Sequence, residues 1–246
     1  MRLLPHTCLS AFLLFLISCT GDKRNIRAYY FPVGALKQGR VYEYERRENG
    51  VVSTEYWYYQ TIRQDSGLFL VSTYYDRNFE VGQIMREKIV RSGALARDYF
   101  LYEPDSTTGK AVQIPTVIES GSVFPFQVSD SLGIFLFSLR YHPVSEPAAT
   151  ISVIRNRYFK GDAPDVEFQG KKYPCIRIGI REAIGTETEG RAEVEGTGEE
   201  WYAKGLGLVY STKTFSGGKL KMETRLKDVF PMTELEKRAG SSSRGQ

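Results

Sequence analysis

The sequence feature that most constrains the fold is a pattern that repeats from residue 40 to residue 230. Runs rich in Tyr, Val, Ile, Phe and Thr are each followed by a turn, and the first two runs are separated by Asn49-Gly50. Both residues of that pair tolerate the positive φ angles of a type I′ hairpin turn. About ten to twelve such runs predict an antiparallel sheet of meander type, in which strands pair with their neighbours in the chain.

Two runs show the strict alternation expected of a strand with one buried and one solvent-facing side. In residues 172–184, Ile176, Ile178 and Ile180 share one face, and Arg177 and Arg181 share the other. Residues 219–230 also alternate, with Leu220, Met222, Thr224 and Leu226 on one face and Lys219, Lys221, Glu223, Arg225 and Lys227 on the other. Such faces predict an apolar interior on one side of the sheet.

Other runs carry apolar residues on both faces. Residues 55–59 read Glu-Tyr-Trp-Tyr-Tyr. Residues 68–75 and 134–141 likewise carry apolar or aromatic residues at both odd and even positions. A strongly curved sheet, or a sheet covered by a second layer, buries both sides. We therefore predict a mainly β fold: a single curved antiparallel meander sheet, either a half-barrel or an open barrel, with few short helices. A sandwich core, covering loops and a concave apolar wall that holds a ligand remain open as explanations.

The chain divides into four predicted segments. Residues 1–18 are a lipoprotein signal peptide that is removed, and residues 19–28 are a lipidated N-terminus and tether. Residues 29–232 form the antiparallel β domain. Residues 233–246 form a short helix, because Thr233 and Glu236 have the spacing of a capping box, followed by a disordered tail.

The N-terminus has the pattern of a secretory signal peptide. Arg2 supplies a positive charge, and residues 8–17 form an apolar stretch of ten residues. A helix needs roughly 20 apolar residues to span a bilayer, so this stretch is too short to remain as a transmembrane anchor. Leu16-Ile17-Ser18-Cys19 resembles the lipobox of bacterial lipoproteins, in which the cysteine sulfur carries a diacylglycerol and the chain is cut before it.

This resemblance implies that Cys19 is the lipidation site. Two or more acyl chains give stable anchoring, so the partner of the mature protein would be a membrane. A plain secreted protein cut nearby is the alternative. Asp22 is the single acid of the tether and does not resemble the acidic cluster of surface-exported lipoproteins. We therefore expect an envelope lipoprotein at the outer membrane, facing the periplasm.

The composition of the mature chain excludes several classes of function. Removal of residues 1–18 leaves 32 basic and 29 acidic residues, without the basic stripe typical of nucleic-acid binding, so no nucleic-acid partner is expected. With Cys8 removed and Cys19 lipidated, Cys175 is the remaining thiol and His142 the remaining histidine. These two cannot build a zinc site of three or four such ligands, so we expect no metal and no cofactor. Calcium stays open, because oxygen ligands suffice for it.

Candidate catalytic residues are few, and each has a structural explanation. His142 is predicted to be a surface or turn residue at the end of a run. Cys175 is predicted to be an inert strand residue, although a nearby cation such as Arg177 would lower its pKa. Glu199 and Glu200 are adjacent, so they face opposite sides of a strand and cannot form a glycosidase pair by themselves. We predict no catalytic residue and no enzyme activity.

Two stretches resemble uncharacterised lipoproteins of the Bacteroidota. One is Tyr-Phe-Pro-Val at residues 30–33 with Gly-Arg-Val-Tyr-Glu-Tyr at 39–44, and the other is Gly-Glu-Glu-Trp-Tyr-Ala-Lys-Gly-Leu-Gly-Leu-Val at 198–209. The resemblance implies the curved half-barrel shape of LolA- and LolB-like lipoprotein carriers, and it assigns no functional residue. Gly205 and Gly207 are predicted to allow a turn or bulge rather than to contact a ligand.

Three functions compete. The first is a non-catalytic, membrane-anchored module that binds a hydrophobic ligand, such as an acyl chain or a lipoprotein. The alternative is a structural or interaction module that docks an envelope protein or polysaccharide partner. A hydrolase is the third and least favoured function, because the mature chain has few histidines to serve as a catalytic base. The ligand-binding residues are unknown at this point: a large apolar cavity favours the first function, an exposed aromatic patch the second, and converging carboxylates in a polar cleft the third.

Overall fold

The computed structural model describes residues 23–105, 107–129, 133–188 and 190–242. The predicted signal peptide, Cys19 and residues 243–246 of the predicted tail lie outside the described residues. The strands are β1 (Arg24–Asn25), β2 (Arg40–Glu48), β3 (Val51–Gln64), β4 (Gly67–Tyr75), β5 (Val81–Ile89), β6 (Gly93–Pro104), β7 (Ala111–Pro125), β8 (Gln127–Val128), β9 (Phe135–Tyr141), β10 (Thr150–Phe168), β11 (Lys171–Glu187), β12 (Arg191–Ala203), β13 (Gly207–Phe215) and β14 (Leu220–Phe230). The helices are the 3-10 turns η1 (Arg27–Tyr29), η2 (Leu36–Gln38) and η3 (Ser216–Gly218), and α1 (Met232–Ser242).

Twelve of these strands form one closed antiparallel barrel. Strands β2–β7 and β9–β14 each pair with the next strand of this set along the chain. Strand β14 then returns to pair with β2, from Met222 opposite Glu48 to Phe230 opposite Val41. The predicted meander order is confirmed. The predicted half-barrel or open barrel is wrong because the barrel is closed, and the LolA- and LolB-like shape is not confirmed. Closure pairs the backbone N–H and C=O groups that the edge strands of an open sheet leave free.

Strand β10 is longer than the sequence pattern predicts. The pattern predicts a loop at residues 162–165, and this prediction is wrong because β10 continues through them to Phe168. The pairing of β10 with β11 is shifted at two places between Phe159 and Val166. Such bulges leave residues outside the hydrogen-bonded ladder. Pro164 lies at such a position, where the N–H group that proline lacks is not needed for strand pairing.

The N-terminal segment closes one end of the barrel. Residues 26–39, which we call the plug, contain η1 and η2 and follow β1, which pairs with β8. Tyr30, Phe31 and Leu36 of the plug are buried in the main core. The Phe31 ring stacks on the ring of Tyr59, with centroids 4.0 Å apart. We call this end of the barrel the plug end, and the opposite end the far end.

Gly205 and Gly207 shape the chain where it meets the plug. Their φ angles are +77° and +97°, which favour glycine. The Gly205 N–H donates to the carbonyl oxygen of Ala28 at 2.8 Å. A Cβ on Gly207 would lie 2.5 Å from Cδ1 of Phe31, so the close approach of the plug requires glycine there. The predicted structural role of both glycines is confirmed.

Helix α1 packs against the outside of the barrel. Leu235 is buried in an apolar cluster with Tyr56 and Phe230. The guanidinium of Arg238 lies 4.1 Å from the centroid of the Phe230 ring, and it donates to Glu43 Oε2 at 2.6 Å. The run at 55–59 carries aromatic residues on both faces, and α1 is the second layer that covers the outer face of this part of the sheet. Among the described residues, no helix has the length and apolar character needed to cross a bilayer.

Candidate functional site

A chamber lies in the barrel interior between the plug and the far end. It has a volume of about 280 Å³ and is lined by inward-facing side chains from most strands of the barrel. The charged lining residues are Arg46, Glu55, Glu87, Arg155, Arg157, Glu200 and Lys213. The aromatic lining residues are Tyr30, Phe31, Tyr44, Trp57, Tyr59, Tyr99 and Tyr202. The lining therefore mixes charged and aromatic groups and is not a continuous apolar wall.

Strand β3 supplies an aromatic wall of the chamber. Trp57 and Tyr59 point inward from alternate positions, and their rings are inclined by 16° with centroids 6.2 Å apart. On the neighbouring strand β2, the Tyr44 hydroxyl donates to the carbonyl oxygen of Leu208 at 2.9 Å. Because its polar atom is used in this bond, the Tyr44 ring presents apolar surface, as do the two rings of β3.

A buried ion pair connects β10 to β12 across the chamber lining. Arg157 donates from Nε to Glu200 Oε2 at 2.9 Å and from Nη2 to Oε1 at 3.1 Å, and the Tyr202 hydroxyl donates to Oε2 at 2.9 Å. All three side chains are buried. Burial raises the pKa of Glu200, but the charge of Arg157 outweighs this effect and holds the pKa below its usual value. Glu200 is therefore ionised, and both its oxygens accept hydrogen bonds.

Glu87 lies where the chamber meets the plug. The hydroxyl of Tyr30 donates to Glu87 Oε2 at 2.7 Å, which ties the plug to β5. Burial raises the pKa of Glu87 to about 7, and the bond from Tyr30 and the charge of Arg157 offset burial only in part. Near neutral pH this carboxyl group is therefore partly protonated.

Glu182, on the inward face of β11, is shared by two cations of the chamber lining. The Nε atom of Arg155 contacts one carboxylate oxygen, and the Nζ atom of Lys213 donates to the same carboxylate at 3.0 Å. Burial raises the pKa of Glu182, but Arg155 and Lys213 outweigh it and lower the pKa to about 2. Burial and the charge of Arg155 lower the pKa of Lys213 to about 8. At pH 7 this group, which we call the Glu182 cluster, carries two positive charges around one carboxylate.

Arg46 lies on the side of the chamber toward the far end. Its side chain is 34% exposed, donates to Glu48 Oε2 at 2.5 Å and lies 3.8 Å from Glu55. Burial raises the pKa of Glu55, and the charge of Arg46 offsets this only in part. Solvent therefore reaches the lining past Arg46, which marks the mouth of the chamber.

Ser72 adds an unpartnered polar group to the lining. It belongs to β4, is 1% exposed, and its hydroxyl has no hydrogen-bond partner among the described residues. A buried polar group without a partner costs roughly 1–3 kcal/mol, so most are satisfied by protein, by ordered water or by a ligand. The Ser72 hydroxyl is consequently available to whatever occupies the chamber.

No protein-family model matches the sequence, and no curated protein is significantly similar to it. Solved structures are similar in fold. A "putative exported protein with YmcC-like fold" from Bacteroides fragilis is 17% identical, with a TM-score of 0.51 over 81% of this chain and 98% of that chain. This chain has a YmcC-like fold.

Two further structures have lower TM-scores. A "putative lipoprotein" from Parabacteroides distasonis is 13% identical, with a TM-score of 0.49 over 82% of this chain and 97% of that chain. The "hypothetical lipoprotein YmcC" from Escherichia coli is 10% identical, with a TM-score of 0.34 over 80% of this chain and 88% of that chain. At these identities, the similarity to the Bacteroides fragilis protein shows the fold alone.

The structure places His142 and Cys175 outside the chamber lining. His142 directly follows β9 and is exposed, which agrees with the predicted surface position, and its Nδ1 lies 2.9 Å from the carbonyl oxygen of Ala149. The Cys175 thiol donates to the Tyr173 carbonyl oxygen at 3.3 Å, and burial raises its pKa, opposite to the effect of a nearby cation. Among the described residues, no group of three His, Cys, Asp or Glu side chains is placed to hold a metal ion. The expectation of a protein without metal or cofactor stays a prediction.

The opposite facing of Glu199 and Glu200 is confirmed. Glu199 lies outside the barrel and accepts a hydrogen bond from Lys160 at 3.2 Å, whereas Glu200 lines the chamber. Sequence reasoning missed the other charged lining residues. A signal for two of them was present, since Arg155 and Arg157 fall on the same face of their run as the apolar Ile151 and Val153 and the aromatic Phe159. Charges in phase with apolar residues indicate an interior that is partly polar.

Proposed function

We propose that this chain is a lipid-anchored lipoprotein of the bacterial envelope that binds a small ligand in the chamber and does not catalyse a reaction. The lipobox at residues 16–19 supports anchoring through Cys19, and the single acid of the tether, Asp22, favours an anchor at the outer membrane that faces the periplasm. The YmcC-like fold adds support, because the Bacteroides fragilis protein with this fold is described as exported.

The observation that carries the binding function is the contrast between the two halves of the barrel interior. At the plug end the interior is packed with aromatic side chains, including Phe31 against Tyr59. Beyond the plug, about 280 Å³ stays open, and the Ser72 hydroxyl there lacks a partner in the described chain. Protein interiors normally contain few voids larger than a water molecule. A large cavity with a few polar groups directed into it is typical of a ligand site.

The lining favours a ligand that is smaller and more polar than the acyl chain predicted from the sequence. The chamber volume lies just below the range of about 300–1,000 Å³ typical of sites for drug-sized ligands. Seven of the lining side chains are charged. A plain acyl chain would displace water from these groups without hydrogen-bonding to them, which costs free energy. We therefore favour a small molecule that carries at least one polar or charged group.

The arrangement of carboxyl groups favours binding over catalysis. Glu87 has a pKa of about 7, which suits a general acid or base, and this is the observation in favour of an enzyme. One of its oxygens, however, accepts the bond from Tyr30. The other two carboxyl groups of the lining, Glu55 and Glu200, lie beside arginines. Hydrolysis of a glycoside needs two unencumbered carboxyl groups on opposite sides of the bond, and the lining does not offer such a pair.

Native mass spectrometry of the full chain, extracted gently from membranes, tests this function. We expect one small-molecule adduct per chain. Ser72→Leu places a larger apolar side chain in the chamber and should remove the adduct. Thr73→Leu changes the next residue, which faces outward, and should keep it. A chain without an adduct, or one whose adduct survives Ser72→Leu, would contradict the proposal.

A docking function is the second candidate, because the outside of the barrel carries exposed apolar side chains near β9 and β10. Ile134, Leu136 and Ile154 are all exposed there. Surfaces of this kind mark sites of protein association when they are contiguous. A stoichiometric protein partner that is released by the double variant Leu136→Ser/Ile154→Ser, in a chain without a small-molecule adduct, would favour docking.

A further inference from the structure

The Glu182 cluster presents positive charge to the chamber. The side chain of Glu182 is 6% exposed, whereas those of Arg155 and Lys213 are 25% and 19% exposed. The carboxylate is thus covered, while both cations keep accessible surface and line the chamber. A ligand that enters the chamber meets the cations before it meets their carboxylate.

Arg155 has donors that the protein does not use. Its Nε atom contacts Glu182, and no described residue accepts a hydrogen bond from its Nη1 or Nη2 atom. A guanidinium has five N–H donors, and carboxylates and phosphates commonly accept two of them side by side. Lys213 adds a second cation on the same carboxylate, at 3.0 Å. The cluster therefore has both charge and hydrogen-bonding capacity left for an anion.

The other charges of the chamber do not cancel this excess. Arg157 and Glu200 form a bidentate pair and neutralise each other. Glu87 is partly protonated near neutral pH, because burial raises its pKa to about 7. At the mouth, Arg46 lies 3.8 Å from Glu55. The surplus positive charge is therefore located at the Glu182 cluster.

We propose that Arg155 and Lys213 form an anion-binding subsite, and that the ligand of the chamber is a small molecule with a carboxylate or phosphate group. Its apolar part, a ring or a short chain, lies against Trp57. The cations supply charge-assisted hydrogen bonds to the anion, and the aromatic wall covers the apolar part. This inference rests on the proposed binding function and names the chemical class of its ligand.

The test uses the full chain in a mild detergent at constant concentration, with Trp201→Phe as the background. Trp57 is then the single tryptophan, and its emission reports occupation of the chamber. Phenylacetate and phenyl phosphate are the anionic probes, and phenylacetamide is the neutral match of phenylacetate. We expect at least one anion to bind tenfold or more tightly than phenylacetamide. The tighter anion tells whether the subsite prefers a carboxylate or a phosphate.

Variants of the cluster should change anion binding in opposite directions. Lys213→Met and Arg155→Met should each weaken it at least tenfold, while Lys213→Arg, which keeps the charge, should retain it. Glu182→Gln removes the carboxylate that competes with the ligand, so it should strengthen anion binding. Arg181→Met removes an exposed cation from the outside of the same strand and should change nothing. Circular dichroism and the unfolding midpoint identify variants that fold like the parent.

Two results would overturn the anion subsite. One is that neither phenylacetate nor phenyl phosphate binds more tightly than phenylacetamide, and the other is weaker anion binding by a normally folded Glu182→Gln variant. If the native mass spectrum still shows an adduct, such a result removes the subsite and leaves the binding function in place. If neither an adduct nor binding of any probe is found, both proposals are refuted.

Discussion

Glu200→Leu removes the carboxylate that holds Arg157 and Tyr202 in the barrel interior. Arg157 is 5% exposed, so it would keep its charge in a buried environment without its bidentate partner. Breaking a buried pair in this way costs about 3–5 kcal/mol. The Tyr202 hydroxyl also loses its acceptor, which adds about 1 kcal/mol. A loss of about 4–6 kcal/mol is large against the total stability of roughly 5–15 kcal/mol of a typical domain.

Removal of the other partner of the pair, Arg157, should reduce the stability by less. Arg157→Met leaves Glu200 as an anion, but Arg155 and Lys213 also lower its pKa and so stabilise its charge in part. The double variant Arg157→Met/Glu200→Leu removes both charges, and apolar side chains of similar size replace such pairs with little loss of stability. We therefore expect the double variant to lie within about 1 kcal/mol of the parent.

Urea unfolding of the full chain, followed by circular dichroism, measures the four free energies of this cycle. Glu199→Leu is the matched control, because the neighbouring residue lies outside the barrel and its pair with Lys160 is accessible to solvent. An exposed pair of this kind contributes about 0–1 kcal/mol. A Glu200→Leu variant as stable as the Glu199→Leu variant, or a double variant as unstable as the two single changes added together, would refute the reasoning.

Three further predictions concern other parts of the molecule. Cys19→Ser should move the chain out of the membrane fraction, and unchanged mass and fractionation would contradict lipidation. Glu87 has a folded pKa of about 7 against an ordinary value of 4.5, so it favours folding below pH 4.5 and this contribution is lost as pH rises through 7. The free energy of unfolding should therefore fall between pH 5 and pH 8 in the parent, and less so in Glu87→Gln; equal slopes would refute this. Leu235→Ala should cost about 2–5 kcal/mol in urea unfolding, because the Leu235 side chain of α1 is buried against the barrel, and a loss under about 1 kcal/mol would show that the helix is not held there.

Local features of the fold could be predicted because they depend on neighbouring residues. Asn49 and Gly50 have φ angles of +47° and +90°, and the hairpin pairs Glu48 with Val51, as the two-residue turn requires. The inward set of β11 is likewise fixed by alternation. Closure of the barrel could not be predicted in this way, because it depends on pairing β14 with β2, from opposite ends of the pattern. The spacing of apolar residues within a single strand does not indicate how strongly the whole sheet curves, and this curvature brings β2 and β14 together.

The chamber escaped prediction for a related reason. A charged residue in a strand is ordinarily solvent-exposed, and Arg155 and Arg157 become interior residues only when partners on other strands neutralise them. Those partners, Glu182 on β11 and Glu200 on β12, are 27 and 43 residues away in sequence. The register that aligns them follows from the closed barrel, so the charged interior could be found only after the barrel itself.

The plug gives the barrel a direction. For a chain acylated at Cys19, the five residues from there to Arg24 span at most about 18 Å in any conformation, and Arg24 begins the strand that leads into the plug. The plug end would then rest close to the bilayer, and the mouth at Arg46 would open toward the aqueous compartment. Exchange of the ligand would be vectorial: it would enter and leave through water, on the side of the barrel turned away from the membrane that holds the anchor.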